Sequence, residues 1–248
     1  SDFTIRSCGF LDNIASTFGG AIFIKNAKDF LIDDVLFSDN DAQQGNAIYL
    51  INGDNVTIQN SYFESTGLGA DIYYAGEINS SVINSTFEGS SNIILGESAF
   101  VRLSDNTEVG SYEYGDYFVY SKGVLYLEGN DLSNAIYNDG EIISPTLMII
   151  GYNTTVNTTS PLIDLTAECL DDSYNYIVSD YRIFYINDLV YKICYNDDLL
   201  CDLFYLWEYG SYLINATTSG LLSNCTYKYA IVNYISPKEA NISADDNR

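Results

Sequence analysis

The chain has 248 residues, 47% of them apolar, enough for one or two domains with a sizeable core. Thirty-four acids against ten Lys and Arg give a net charge of −24, a field that repels phosphate backbones and anionic lipid and so excludes nucleic acid as a partner. There is no run long enough to cross a bilayer, which excludes direct membrane insertion, and the start does not read as a signal peptide.

The first hundred residues repeat one phrase. Ile5, Ile32, Ile58 and Ile83 are each followed by an aromatic, at Phe10, Phe37, Phe63 and Phe87, and then by a second apolar segment carrying Ile22, Ile48, Ile72 and Ile94. The isoleucine spacings of 27, 26 and 25 suit one coil of a parallel β-solenoid. Triplets such as Phe3-Thr4-Ile5 and Val56-Thr57-Ile58 alternate apolar and polar, and polar Arg6, Asp33, Gln59 and Asn84 follow. That period of two marks strands with one face in a core.

From the second segment to the next first one the count is ten, ten and then eleven, whereas from aromatic to second segment it falls through twelve, eleven, nine and seven. One corner is therefore fixed and the opposite corner tapers. Length-variable turns on one edge are where solenoids usually carry recognition, here residues 11–20 and 38–46. Residues 104–123 have no clear register, and a short last coil ends in Ala135-Ile136-Tyr137-Asn138. Residue 1 falls inside a coil, so the chain reads as a piece of a longer protein whose export signal and anchor lie elsewhere.

Ser144-Pro145 breaks the pattern. Beyond it, about seven short alternating strands predict an immunoglobulin-like β-sandwich. Its most specific signal is Tyr212, placed like a tyrosine corner two residues before an inward Ile214. The expected architecture is all-β: a right-handed parallel β-helix of about six coils over residues 1–143, a sandwich over 146–236, and a linker over 237–248. The sandwich is expected to cover the last coil.

The chemistry-bearing residues are few. A hydrolase needs grouped carboxylates with a histidine or basic partner, and Asp33-Asp34 stand in a chain that has no histidine. No zinc set is present either. Calcium is the one possible cofactor, with oxygen ligands at Asp39-Asn40-Asp41, Asp171-Asp172 and Asp197-Asp198. Cys194 and Cys201 flank a hairpin-like turn and form the first disulfide candidate; Cys169 and Cys225 form the second, and Cys8 reads as a buried thiol. Glycosylation acceptors occur at Asn55, Asn79, Asn84, Asn153, Asn157, Asn215, Asn224 and Asn241. The binding candidate is a column of outward rings, Phe23, Tyr49, Tyr73 and Tyr137, beside inward isoleucines and interrupted by Leu95.

Phe10-Leu11-Asp12-Asn13 with Gly19-Gly20-Ala21-Ile22, and Phe37-Ser38-Asp39-Asn40 with Gly45-Asn46-Ala47-Ile48, resemble the signature of polymorphic outer-membrane proteins. The same signature marks adhesin-like surface proteins of methanogenic archaea, and Ala135 through Pro145 resembles their last coil before an immunoglobulin-like domain. The third and fourth coils lack both glycines and the asparagine, and the cysteines are unusual for such chains. The resemblance implies an exported, extracellular cell-surface protein and no catalytic residue. The expected function is adhesion, to surface glycans or proteins of another cell, by a monomer that is not an enzyme. A structural stalk or envelope module is the alternative, and a polysaccharide lyase or hydrolase the third reading.

Overall fold

The computed structural model describes residues 3–65, 69–89, 92–110, 117–143, 146–150, 155–195, 203–221, 226–227 and 229–237. Two compact units result. Unit 1 contains Ser1–Pro145 together with Leu170–Val178 and Gly220–Asn224; unit 2 contains Thr146–Cys169, Ser179–Ser219 and Cys225–Arg248. The expected break near Pro145 is thus the edge of unit 1's main body, but the units are not contiguous in sequence. Most of the tail assigned as a linker, residues 238–248, lies outside the described residues.

In unit 1 each strand pairs in parallel with the strand one turn later. Ile5, Ile32, Ile58, Val82, Leu103 and Leu127 fall in one column, so five full turns of a parallel β-helix separate Ile5 from Leu127. Glu141–Ile143 begins another strand beside Val124. From Ile32 to Leu127 these side chains are completely buried. Each contributes about 1.5–3 kcal/mol relative to exposure, and its neighbours along the column supply most of that cover.

Two positions differ from the sequence reading. Ile83 lies opposite Gln59, on the outer polar column, and Val82 takes the place under Ile58. Ser80 can fill the first inward place because its hydroxyl donates to the Val56 carbonyl at 2.9 Å, which satisfies a buried polar group without a ring or methyl. One coil later Ile93, not Ile94, lies beside Ile72, and Leu95 is buried instead of facing out. With these positions corrected, Ile22 to Ile32, Ile48 to Ile58, Ile72 to Val82 and Ile93 to Leu103 are all ten residues apart. The opposite edge varies instead of tapering throughout: it shortens from twelve residues between Phe10 and Ile22 to six between Phe87 and Ile93, widens to eleven between Glu108 and Val119, and closes to four between Leu132 and Ile136.

The corner after the first strand has its own chemistry. Ser7, Asp34, Asn60, Asn84, Asp105 and Gly129 occupy successive turns with φ between 46° and 65°, a left-handed conformation that Asn, Asp and Gly adopt most readily. Directly after them runs a buried polar ladder. The Ser61 hydroxyl accepts from Val35 N, the Ser85 hydroxyl from Ser61 N, and the Asn106 carbonyl oxygen from Ser85 N. Asn106 in turn donates both its backbone N–H and its amide to the Asn130 side chain. Beyond Asn130 the ladder is continued from a distant part of the chain: the Asn175 amide donates to the Asn130 carbonyl at 2.7 Å, and its oxygen accepts from Leu132 N. Asp172 likewise accepts from Gly129 N, and Ile142 N donates to the Gly220 carbonyl. The last coil is therefore closed by Leu170–Val178 and Gly220, both within unit 1.

The aromatic column stacks as the repeat predicts. Phe10, Phe37, Phe63 and Phe87 lie 5.4, 4.8 and 4.7 Å apart between ring centroids, nearly coplanar in orientation. Glu108 then replaces the ring. It is almost fully buried, and its carboxylate accepts from Ser133 N, Asn134 N and the Asn134 amide, which compensates its loss of water.

Unit 2 holds a five-stranded sheet. Thr155–Thr158 runs parallel to Tyr229–Tyr234, which is followed by antiparallel Gly210–Thr218, Tyr181–Ile186 and Leu189–Tyr195. A separate ladder pairs Leu162–Asp164 with Leu203–Tyr205, and Phe204 from it meets Phe184 edge-on at 5.0 Å. The Tyr212 hydroxyl donates to the Glu208 carbonyl at 2.6 Å, and Ile214 is buried.

These contacts rank the columns energetically. Phe63→Ala should lower unfolding free energy by about 3–5 kcal/mol, the usual cost of an emptied aromatic site, whereas Phe10→Ala on the open first coil should cost clearly less. Denaturant titration of both variants checks the difference; equal losses would contradict the stacking account.

Candidate functional site

The outward ring column is assembled by the strands that bury its neighbours. Because Ile22, Ile48 and Ile72 point inward, Phe23, Tyr49 and Tyr73 must point outward. Their rings stack at 5.6 Å and 5.4 Å, with interplanar angles of 3° and 15°. Tyr137 stands apart. It stacks on Tyr120 at 4.8 Å, and Ile94 separates this pair from Tyr73. The column is thus two ring stacks, and its interruption is Ile94 instead of Leu95.

The rings are not equally accessible. Phe23 is 50% exposed, but Tyr49 is only 7% exposed, because Phe18 from the longest turn lies 4.5 Å above it. The expectation of an exposed Tyr49 is corrected accordingly. Burial, and to a lesser extent the neighbouring Tyr73, push the Tyr49 hydroxyl above its ordinary pKa. Phe18 and Tyr120 are the members that sequence reading missed. Tyr120 could have been found once Val119 was placed under Ile93; Phe18 sits in a turn where periodicity carries no signal.

The turn glycines are scaffold. At Gly19 and Gly45, φ is 58° and 70°, and an added Cβ would lie 2.2 Å from the Ile22 carbonyl and 2.3 Å from that of Ile48. Asn40 lies inside the same turns, where its amide donates to the Phe10 carbonyl and its oxygen accepts from Asn13. Asp39 and Asp41 are exposed on either side of it. Asp171 and Asp172 are occupied too, by Ser173 N, Asn175 N and Gly129 N. Asp197 and Asp198 lie outside the described residues, among which there is no group of three or more acids or cysteines spaced to share a metal ion.

Asp33 accepts from Asn60 and Gln59 and pairs with Arg6 at 2.9 Å. The Asn60 and Gln59 hydrogen bonds, assisted by the Arg6 charge, hold its carboxyl below the usual range. A carboxyl so held is a poor proton donor at neutral pH. Beside the fixed corner lies a shallow trough of about 540 Å³ lined by Lys28, Asp54, Glu77 and Asn79.

Cys194 is disulfide-bonded; its expected partner Cys201 lies outside the described residues. Cys169 is buried, and its expected partner Cys225 too falls outside them. Cys8 is exposed instead of buried. Its column is covered in the following coils, at Val35, Ser61 and Ser85, but in the first coil it borders an open groove with Ser7 and Leu36. Among the glycosylation acceptors, Asn55, Asn79 and Asn84 are exposed, and their amides donate to Asp29, Asp54 and Asn60. The Asn157 side chain accepts from Asn233, and the Asn215 amide donates to Asp188. Asn153, Asn224 and Asn241 lie outside the described residues.

A family model described as right handed beta helix region matches residues 1–140, more than half of the chain, and the chain belongs to that family. Neither the curated proteins nor the solved structures give a significant match. Membership identifies the scaffold, and function must be argued from the residues mounted on it.

Phe18 is expected to act as a lid on Tyr49. Nitration followed by peptide mass mapping should modify exposed Tyr174 rapidly and spare Tyr49 and Tyr74; Phe18→Ser should make Tyr49 reactive and leave Tyr74 protected. Fast nitration of Tyr49 in the parent protein would show that the lid is absent.

Proposed function

We propose that this right-handed β-helix is the presenting scaffold of an extracellular, cell-surface adhesin-like protein that attaches to glycans or proteins of another cell. The observation that carries the reading is the coincidence of two features on one edge. The long turns, residues 11–20 and 38–46, lie beside the ring stack of Phe23, Tyr49 and Tyr73, and Phe18 joins them physically. The half-exposed Phe23 and the Phe18 ring laid over Tyr49 offer apolar surface on a solvated sheet, which suits a sugar or a partner's side chains. The strong acidity favours a soluble, monomeric state and disfavours anionic ligands.

Unit 2 is read as an immunoglobulin-like sandwich that serves as cap or spacer. In support, a parallel edge strand precedes the antiparallel run in its sheet, and the Tyr212 hydroxyl bonds back to Glu208 as a tyrosine corner does. The resemblance to adhesin-like surface proteins of methanogenic archaea fits the same reading.

The test is attachment of the purified protein to microbial cells and to a glycan array. Phe23→Ser combined with Tyr73→Ser should reduce binding about tenfold, the equivalent of about 1.4 kcal/mol, at unchanged thermal midpoint. Binding at background level in the parent protein would favour the structural stalk, and release of unsaturated uronides would favour a lyase.

A further inference from the structure

Unit 2 carries an aromatic surface that its core does not use. In the ladder of Leu162–Asp164 with Leu203–Tyr205, alternation sends Ile163 and Phe204 inward, where both are buried, and Leu206 follows them. Leu162, Leu203, Tyr205 and Trp207 take the other face and are exposed. Trp207 is the single tryptophan of the chain and is 79% exposed, although tryptophan is highly buried on average.

The rings continue past the ladder. Tyr205 meets Trp207 at 4.7 Å and 66°. Tyr209 packs on Tyr234 at 4.6 Å and 42°, next to the point where Gly210 pairs with Tyr234. Desolvation, and then the neighbouring Tyr209, Tyr205 and Tyr212, push the Tyr234 hydroxyl above its ordinary pKa, so both ring pairs share one neighbourhood. The backbone beneath them is tethered three times. Tyr205 N donates to the Tyr191 hydroxyl at 3.0 Å, Leu206 N to the Pro161 carbonyl at 2.7 Å, and Glu208 N to the Tyr212 hydroxyl at 3.1 Å. Rings held in place before contact lose less freedom on binding.

Two carboxylates stand at the rim. Glu208 lies between Trp207 and Tyr209 in the chain, and Asp164 is opposite Leu203 on the exposed face. Both are exposed, and among the described residues neither has an ion-pair partner. Lys192, which donates to the Leu203 carbonyl, has its amine turned to the buried Phe204 ring, 4.4 Å from the ring centre. An apolar centre rich in Trp and Tyr inside a charged rim is the make-up of a protein-docking surface. The sign of the rim and the net charge of −24 select a basic partner. Among cations, guanidinium both stacks on aromatic faces and pairs with carboxylates.

We propose that this surface docks a basic segment of another protein, with arginine side chains stacked on Trp207 and its neighbouring rings and paired with Glu208 and Asp164. Apolar side chains of the same segment cover Leu162 and Leu203. The proposal gives unit 2 a contact of its own and does not rest on the ring stack of unit 1 that carries the adhesive reading.

Because Trp207 is the single tryptophan, its emission reports the contact directly. The full chain is titrated with two acetylated, amidated peptides, Gly-Arg-Leu-Arg-Leu-Arg-Gly and its counterpart with glutamate in place of arginine, by fluorescence and by calorimetry. The arginine peptide should change the emission saturably, with an affinity that falls as salt is raised, and the glutamate peptide should not. In calorimetry, Trp207→Ala should weaken binding about tenfold or more, and Glu208→Gln with Asp164→Asn should weaken it severalfold. Thermal midpoints should be unchanged, since all three side chains are exposed. Absence of a saturable response to the arginine peptide overturns the proposal, as do equal responses to both peptides and undiminished binding by Trp207→Ala. Self-association of the parent chain that Trp207→Ala abolishes would overturn it in favour of a second copy as the occupant.

Discussion

Parallel stacking of like on like governs this solenoid. Strands sit about 4.8 Å apart, so every inward side chain is covered chiefly by its counterpart one turn away. No single coil buries its own isoleucine; a column does. This explains why the fixed corner keeps its ten-residue count through four coils, since a net change of one residue would turn the whole following strand inside out. Around Gly53 two register shifts of opposite sense occur, and they cancel before Val82.

The corner between the first strand and the aromatic column meets a second requirement. A sharp turn buries backbone N–H groups that the sheets cannot pair, and the run Ser61, Ser85, Asn106, Asn130 and Asn175 supplies their acceptors. Each member accepts from the coil before it. Hydroxyls serve in the early coils and amides in the later ones, where the amide also reaches across to a carbonyl such as Val82 O or Leu103 O. Among the described residues the opposite edge has no such continuous ladder, and this is where turn length varies.

Much of the repeat was legible from period and spacing. The phenylalanine column and the tight corner follow from alternation. The errors fall where alternation is ambiguous: Val82-Ile83 and Ile93-Ile94-Leu95 offer apolar residues at both parities, and only the pairing partners decide between them. Tyr49 was misjudged for another reason. Strand periodicity reports which face a side chain takes, but not what a remote turn lays over that face, and Phe18 belongs to such a turn. The role of Asn175 was out of reach, because its partner Asn130 is 45 residues away and belongs to a different kind of local sequence.

That last contact has a consequence for the order of assembly. Chains emerge from synthesis N-terminus first, and successive solenoid turns can condense as they appear, each on the one before. The terminal rung cannot condense in this way: its backbone partner arrives only with Asn175, after residues of unit 2 have already been made. Until then the newest edge is an open template for any other strand. Completion of the solenoid is therefore tied to the progress of the following unit, and the two parts of the chain share a folding schedule although they have separate cores.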